Sequence, residues 1–155
     1  MLLKKVTLTI SLGLLLSIPL QAAPSINDMQ SCQGLLDFID KKLDKAPAKY
    51  STEDIKNIRE GLKGYNEYIQ EEIVTPGLIK FNNGDSSKAS MMQKQVDMYK
   101  LSLVNAYEKK YPANRLYTDY AVAVNNCAKK AVPKGASLEK LKISLNTIIK
   151  LAKMN

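Results

Sequence analysis

Two cysteines, Cys32 and Cys127, lie 95 positions apart in a chain that has no others. A covalent link between them would tie the start of the fold to its last third. Whether it forms depends on compartment, because disulfides persist in oxidising surroundings and are rare where thiols are kept reduced. The N-terminus answers that question. Lys4 and Lys5 are followed by residues 6–20, an uncharged, Leu-rich run of 15, and then by the small residues Ala22 and Ala23. This is the layout of a secretory signal peptide. The run falls short of the about 20 apolar residues that a bilayer-spanning helix needs. Cleavage after Ala23 would place Pro24 beside the cut, so cleavage after Ala22 is expected. No cysteine sits there to carry a lipid anchor. Residues 1–22 are therefore read as a signal peptide and 23–155 as one domain, exported to the periplasm or secreted. Two cysteines allow a single pairing, Cys32 with Cys127. Closing so long a loop is worth ~4–5 kcal/mol in the chain-entropy model.

Hydrophobic periodicity in the mature chain is helical throughout. The spacing predicts helices over 28–44, 52–73, 88–110, 115–131 and 138–154. Cys32, Leu35, Leu36, Ile39 and Leu43 line the first, and Ile55, Ile58, Leu62, Tyr65, Ile69 and Ile73 the second. Met92, Val96, Tyr99, Leu103, Ala106 and Tyr107 mark the third; Leu116, Tyr120, Ala123, Val124 and Cys127 the fourth. Leu138, Leu141, Leu145, Ile148, Ile149 and Ala152 mark the fifth. Asn27 or Asp28, Ser51 or Thr52, Asn114 and Ser137 are the expected N-caps. Gly61 and Gly64 cost helix stability but suit close packing. Thr75-Pro76-Gly77 reads as a break, and 74–88 as a long connection of the kind that is often functional.

The predicted fold is all-α, a single-domain up-and-down bundle of four to five helices. Short connections make successive helices alternate in direction. Helix one then begins where helix four ends, which brings Cys32 and Cys127 to the same end of the bundle, as a disulfide between helices one and four requires.

The chemical inventory is sparse. The chain has no histidine, which removes Ser–His and Cys–His nucleophiles and His-ligated zinc or haem. There is no glycine-rich phosphate loop, nucleophile elbow or Cys-x-x-Cys pair. No metal site, cofactor or catalytic residue is expected, and the chain is read as a non-enzyme. Glu67, Glu71 and Glu72, and the Asp37, Asp40, Asp44 series, are read as solvated acidic faces. A hydrolase using carboxylates alone ranks third among the readings.

Charge is uneven. Residues 23–108 hold 11 basic and 13 acidic side chains, whereas residues 109–155 hold 10 basic and two acidic ones, Asp119 and Glu139. Only Arg59 and Arg115 are arginines, which argues against nucleic acid and makes anionic membrane a weak partner. Tyr99, Tyr107, Tyr111, Tyr117 and Tyr120 gather in sequence around Pro112, as rings that either close a core without tryptophan or form a contact site. The partner site is placed at that turn, on Tyr111, Arg115 and Tyr117, facing another protein of acidic character.

The leading function is an exported, non-enzymatic protein-binding module of the bacterial envelope, of the immunity or inhibitor kind. The alternative is a periplasmic stress chaperone or anionic-surface-binding protein. The likeness to small exported immunity proteins and acid-stress chaperones is one of general character and carries over no residues. The mature N-terminus is expected at Ala23, and the intact mass of the exported protein checks it; a mass that includes residues 1–22 contradicts the reading.

Overall fold

The computed structural model describes residues 24–154, so the expected signal peptide, residues 1–22, and the expected cut before Ala23 lie outside the described residues. Six α-helices follow in order: α1 (Ile26–Leu43), α2 (Thr52–Ile69), α3 (Thr75–Phe81), α4 (Ser86–Lys110), α5 (Thr118–Lys130) and α6 (Gly135–Ala152). A π-helical turn, Gln70–Val74, joins α2 to α3 without a break. The described residues thus make five helical rods and no strand.

Local chemistry starts three of the helices. Ser25 Oγ accepts from the Asp28 N–H and Ser51 Oγ from the Asp54 N–H, both at 3.1 Å, and Asp85 Oδ1 accepts from the Lys88 N–H at 3.0 Å. The cap of α1 is therefore Ser25 rather than Asn27 or Asp28. Neither Asn114 nor Ser137 acts as a cap. Residues 112–117 stay out of the helix because Leu116 is buried there and donates its N–H to Tyr50 Oη at 3.2 Å. Gly135, at φ 56°, turns the chain into α6, a backbone region that favours glycine.

The expected break at Pro76 does not occur. In a regular α-helix its ring would clash with the carbonyl four residues back. Here the Thr75 N–H donates to Gln70 O, five residues back, and the widened turn accommodates the ring. The connection expected over 74–88 is therefore mostly helix, with only residues 82–85 left as a turn.

Cross-helix contacts show the alternation of direction. Arg59 pairs with Asp40 and Asp44, and Asn66 reaches Asp37, so α2 runs antiparallel to α1. Lys140–Glu60 (3.7 Å) and Lys150–Asp54 (2.9 Å) set α6 antiparallel to α2. Lys130–Asp28 (3.1 Å) and the Cys32–Cys127 disulfide, with Cα atoms 5.8 Å apart, set α5 antiparallel to α1. The bridge thus joins the first helical rod to the fourth, at the end the alternation requires. α1 touches α2, α4 and α5, α6 lies on α2 and α5, and α4 packs only on α1 and α3 to any extent. The core is led by Phe38, Met29, Leu36, Ile39, Ile58, Leu62, Tyr65, Ile69, Ile148 and Leu151.

α2 and α6 approach each other closely at Gly61. A Cβ on Gly61 would stand 2.4 Å from Lys140 O and 2.5 Å from Ser144 Cβ, and the buried Ser144 hydroxyl donates to Ile58 O at 3.0 Å. Nothing lies within 4 Å of a Cβ on Gly64. The two glycines therefore separate in a thermal melt. Gly61→Ala should destabilise by ~1–3 kcal/mol or more through overpacking against backbone. Gly64→Ala should be neutral or gain up to ~1 kcal/mol from helix propensity.

Candidate functional site

The aromatic end expected to bind a partner is largely built into the fold. Phe38 of α1 packs against Tyr107, Tyr111 and Tyr120 at ring-centroid distances of 5.3, 6.1 and 5.4 Å. Tyr117 adds contacts to Tyr111 and Tyr120 at 6.0 and 5.4 Å. Tyr111 and Tyr117 are half-buried, and only Arg115 is exposed, stacked 4.6 Å from the Tyr117 ring. Lys42, itself buried, lies 5.4 Å from the Phe38 ring centroid and donates to Tyr111 O at 2.5 Å. The tyrosines other than Tyr99 cluster as the sequence suggests, and their rings close the core at this end. Tyr99 is absent from the cluster's ring contacts and lies exposed further back along α4. Burial without a hydrogen-bond partner for its hydroxyl raises the Tyr120 pKa well above that of a free phenol.

The basic excess of residues 109–155 is partly absorbed inside the molecule. Lys140 and Lys150 of α6 meet Glu60 and Asp54 of α2, and Lys130 meets Asp28. Asp54 is held below the usual carboxylate range by hydrogen bonds from Lys150 and Ser51, and Asp28 by those of Ser25 and Lys130.

Two other features are open to a ligand. The first is a groove of about 610 Å³ between α1 and α2, bordered by Lys100 of α4. Its back wall is a polar chain that the π turn makes possible. Gln70, the first residue of that turn, donates to Thr75 Oγ1 at 2.9 Å and to Gln93 Oε1 at 2.8 Å. Gln33 of α1 donates to Gln70 Oε1 at 3.2 Å and reaches Asn66 O at 3.5 Å. Asn66 Nδ2 donates to Asp37 Oδ1 at 2.7 Å. Gln33 is only 1% exposed, and its Oε1 has no hydrogen-bond partner. Desolvation raises the Asp37 pKa, partly offset by the charge of Lys100 and the hydrogen bond from Asn66. Sequence reasoning passes over Gln33, Asn66 and Gln70. The available signal is a glutamine between Cys32 and Leu35 on an otherwise apolar face.

The second feature is the outer side of α4. This 25-residue helix buries only Ala89, Val96 and Val104. Met91, Met98 and Leu101 are 59, 66 and 60% exposed, and Phe81 at the end of α3 is 69% exposed. Between positions 98 and 106 the exposed residues are Met98, Tyr99, Leu101, Ser102, Asn105 and Ala106, none of them charged.

Among the described residues no group of three or more acidic or cysteine side chains converges as a metal site, both cysteines are in the disulfide, and no helix is long and apolar enough to cross a membrane. A scan against family models finds no match, and neither do searches of curated proteins and of solved structures.

The Asp37 shift has a stability consequence. The folded state holds the Asp37 proton more tightly than the unfolded chain, so the ionised carboxylate costs stability at neutral pH. That cost disappears as pH falls through the raised pKa. Asn at this position keeps an acceptor for Asn66. Asp37→Asn should therefore melt higher than wild type at about pH 7, with the advantage shrinking towards about pH 4. Thermal melts at both pH values check it, and an advantage that grows in acid contradicts it.

Proposed function

We propose that this protein is an exported, non-enzymatic binding protein of the bacterial envelope that acts on another protein, in the manner of an immunity or inhibitor protein. The observation that carries the reading is the uncharged outer face of α4. A quarter of the chain is charged, yet the exposed surface from Met98 to Ala106 has no charge and presents Met98, Tyr99 and Leu101 together. Contiguous exposed apolar surface rimmed by charge is characteristic of protein–protein contact. Here the rim is Lys94 and the exposed Asp97, which pairs with the largely covered Lys100, on one side and Glu108, Lys109 and Lys110 on the other. The Pro112 end continues from the last turn of α4, so Arg115 fits the polar edge of such a contact better than its centre. The disulfide suits the oxidising compartment that the reading requires.

The methionines favour a second reading, a periplasmic chaperone. Thioether side chains adapt to many partner shapes, and Met91 and Met98 are both displayed on this helix.

A photo-crosslinking residue placed at Met98 in the protein, expressed in its native host, separates the two. One dominant adduct with a foreign protein is expected. Met98→Glu with Leu101→Glu should lower affinity for that protein at least about tenfold while leaving the melt unchanged, because both positions face solvent. A broad ladder of adducts selects the chaperone. Adducts no stronger than those from a crosslinker at Met154, or adducts only with a second copy of this chain, defeat the proposal.

A further inference from the structure

We propose that the groove between α1 and α2 binds an alkylammonium group, with Asp37 as its counter-ion and Gln33 as a second acceptor. Five carboxylates and three cationic side chains line the groove. Most of these charges are already spoken for. Arg59 takes Asp40 and Asp44, Lys63 is 3.7 Å from Glu67, and Glu60 faces Lys56 and Lys140. Lys100 Nζ sits 3.1 Å from Asp97. Asp37 has no ion pair among the described residues, although it is half-buried and already desolvated. One of its oxygens accepts from Asn66; the other remains for a ligand.

Gln33 supplies the second, independent observation. It lines the same groove, is nearly fully buried, and leaves Oε1 without a donor. A buried acceptor in that condition costs stability until a donor reaches it. Gln33 and Asp37 are one turn apart on α1, and both bond to Asn66. The two residues therefore line one wall of the groove.

The chemistry of this wall selects the ligand. A carboxylate and an amide carbonyl call for a cation with several N–H donors. A guanidinium is served best by both oxygens of one carboxylate in its own plane, and the Asn66 amide already takes one lone pair of Asp37 Oδ1, which narrows that approach. An ammonium donates in three directions and suits two separate acceptors. The acidic groups do not converge on a point as a metal would need. Leu36 and Leu62 also line the groove, which gives the methylene stem of an amine an apolar surface to lie on. Lys100 is the one cation acting on Asp37, so it opposes a second positive charge and sets the affinity low.

The ligand is either a free aliphatic amine or a lysine side chain presented by a protein. Side-chain amide NMR signals of Gln33 and Asn66 in the mature, disulfide-bonded protein provide the readout, with cadaverine and N-acetyl-lysine amide as probes. Saturable shifts of both signals are expected, where sodium chloride at matched ionic strength gives none. Asp37→Asn should weaken binding about tenfold, the scale of a lost charge-assisted hydrogen bond, while retaining its fold in the melt. Lys100→Gln should tighten it. Saturation by cadaverine alone assigns the site to free amines; tighter binding of the lysine derivative assigns it to a protein side chain. The proposal is overturned if neither amine gives saturable shifts at Gln33 and Asn66, or if Asp37→Asn binds as wild type does.

Discussion

The bundle is organised around the contact between α2 and α6 at Gly61. With no side chain at that position, the α6 backbone at Lys140 comes within a distance that a Cβ would block, and the Ser144 hydroxyl is brought onto Ile58 O. The lysines of α6 can then reach the acids of α2, so two segments of opposite net charge, distant in sequence, neutralise each other across one interface. α5 takes its place from this pair, because it must lie on α6 and also present Cys127 to Cys32 of α1.

Once α1, α2, α5 and α6 have closed on one another, α4 is left on the outside. It follows α1 in the same direction and packs on that helix and on α3. A helix packed on one side only displays much of its circumference, which explains why the methionines and leucine of α4 remain exposed. At its C-terminal end the same helix delivers Tyr107 and Tyr111 to Phe38, and the ring cluster there finishes a core that has no tryptophan. The rings at this end thus serve to close the core, and the more exposed apolar side chains lie further back along α4.

The π turn links the fold to the groove. Its extra residue lets the α2 rod pass Pro76 without breaking, and Gln70 at its start bonds to residues on three sides. The resulting polar chain from α4 to α1 is satisfied except at Gln33 Oε1. A polar network of this kind is costly when incomplete, and Gln33 lines the same groove as Asp37.

The sequence by itself determined the all-α class, the helical faces other than that of α4, where Tyr99 and Ala106 of the expected stripe lie exposed, the alternation of direction and the pairing of Cys32 with Cys127. Each follows from local periodicity, short connections and a cysteine count of two, none of which needs a long-range contact to be read. Tertiary structure decided the rest. Pro76 reads as a break because the local rule concerns the α-helical turn, and only packing of the rod on both sides of it holds the wider turn that admits the ring. Gly61 and Gly64 look alike in sequence, and only the placement of α6 makes one a contact and the other free surface. Tyr111 and Tyr117 carry the same signature whether they face a partner or the ring cluster around Phe38 and Tyr120, because a tyrosine suits either setting. Gln33 became visible only when α1, α2 and α4 were brought together, since the lack of a donor for its carbonyl is a property of the assembled wall and not of any segment in it.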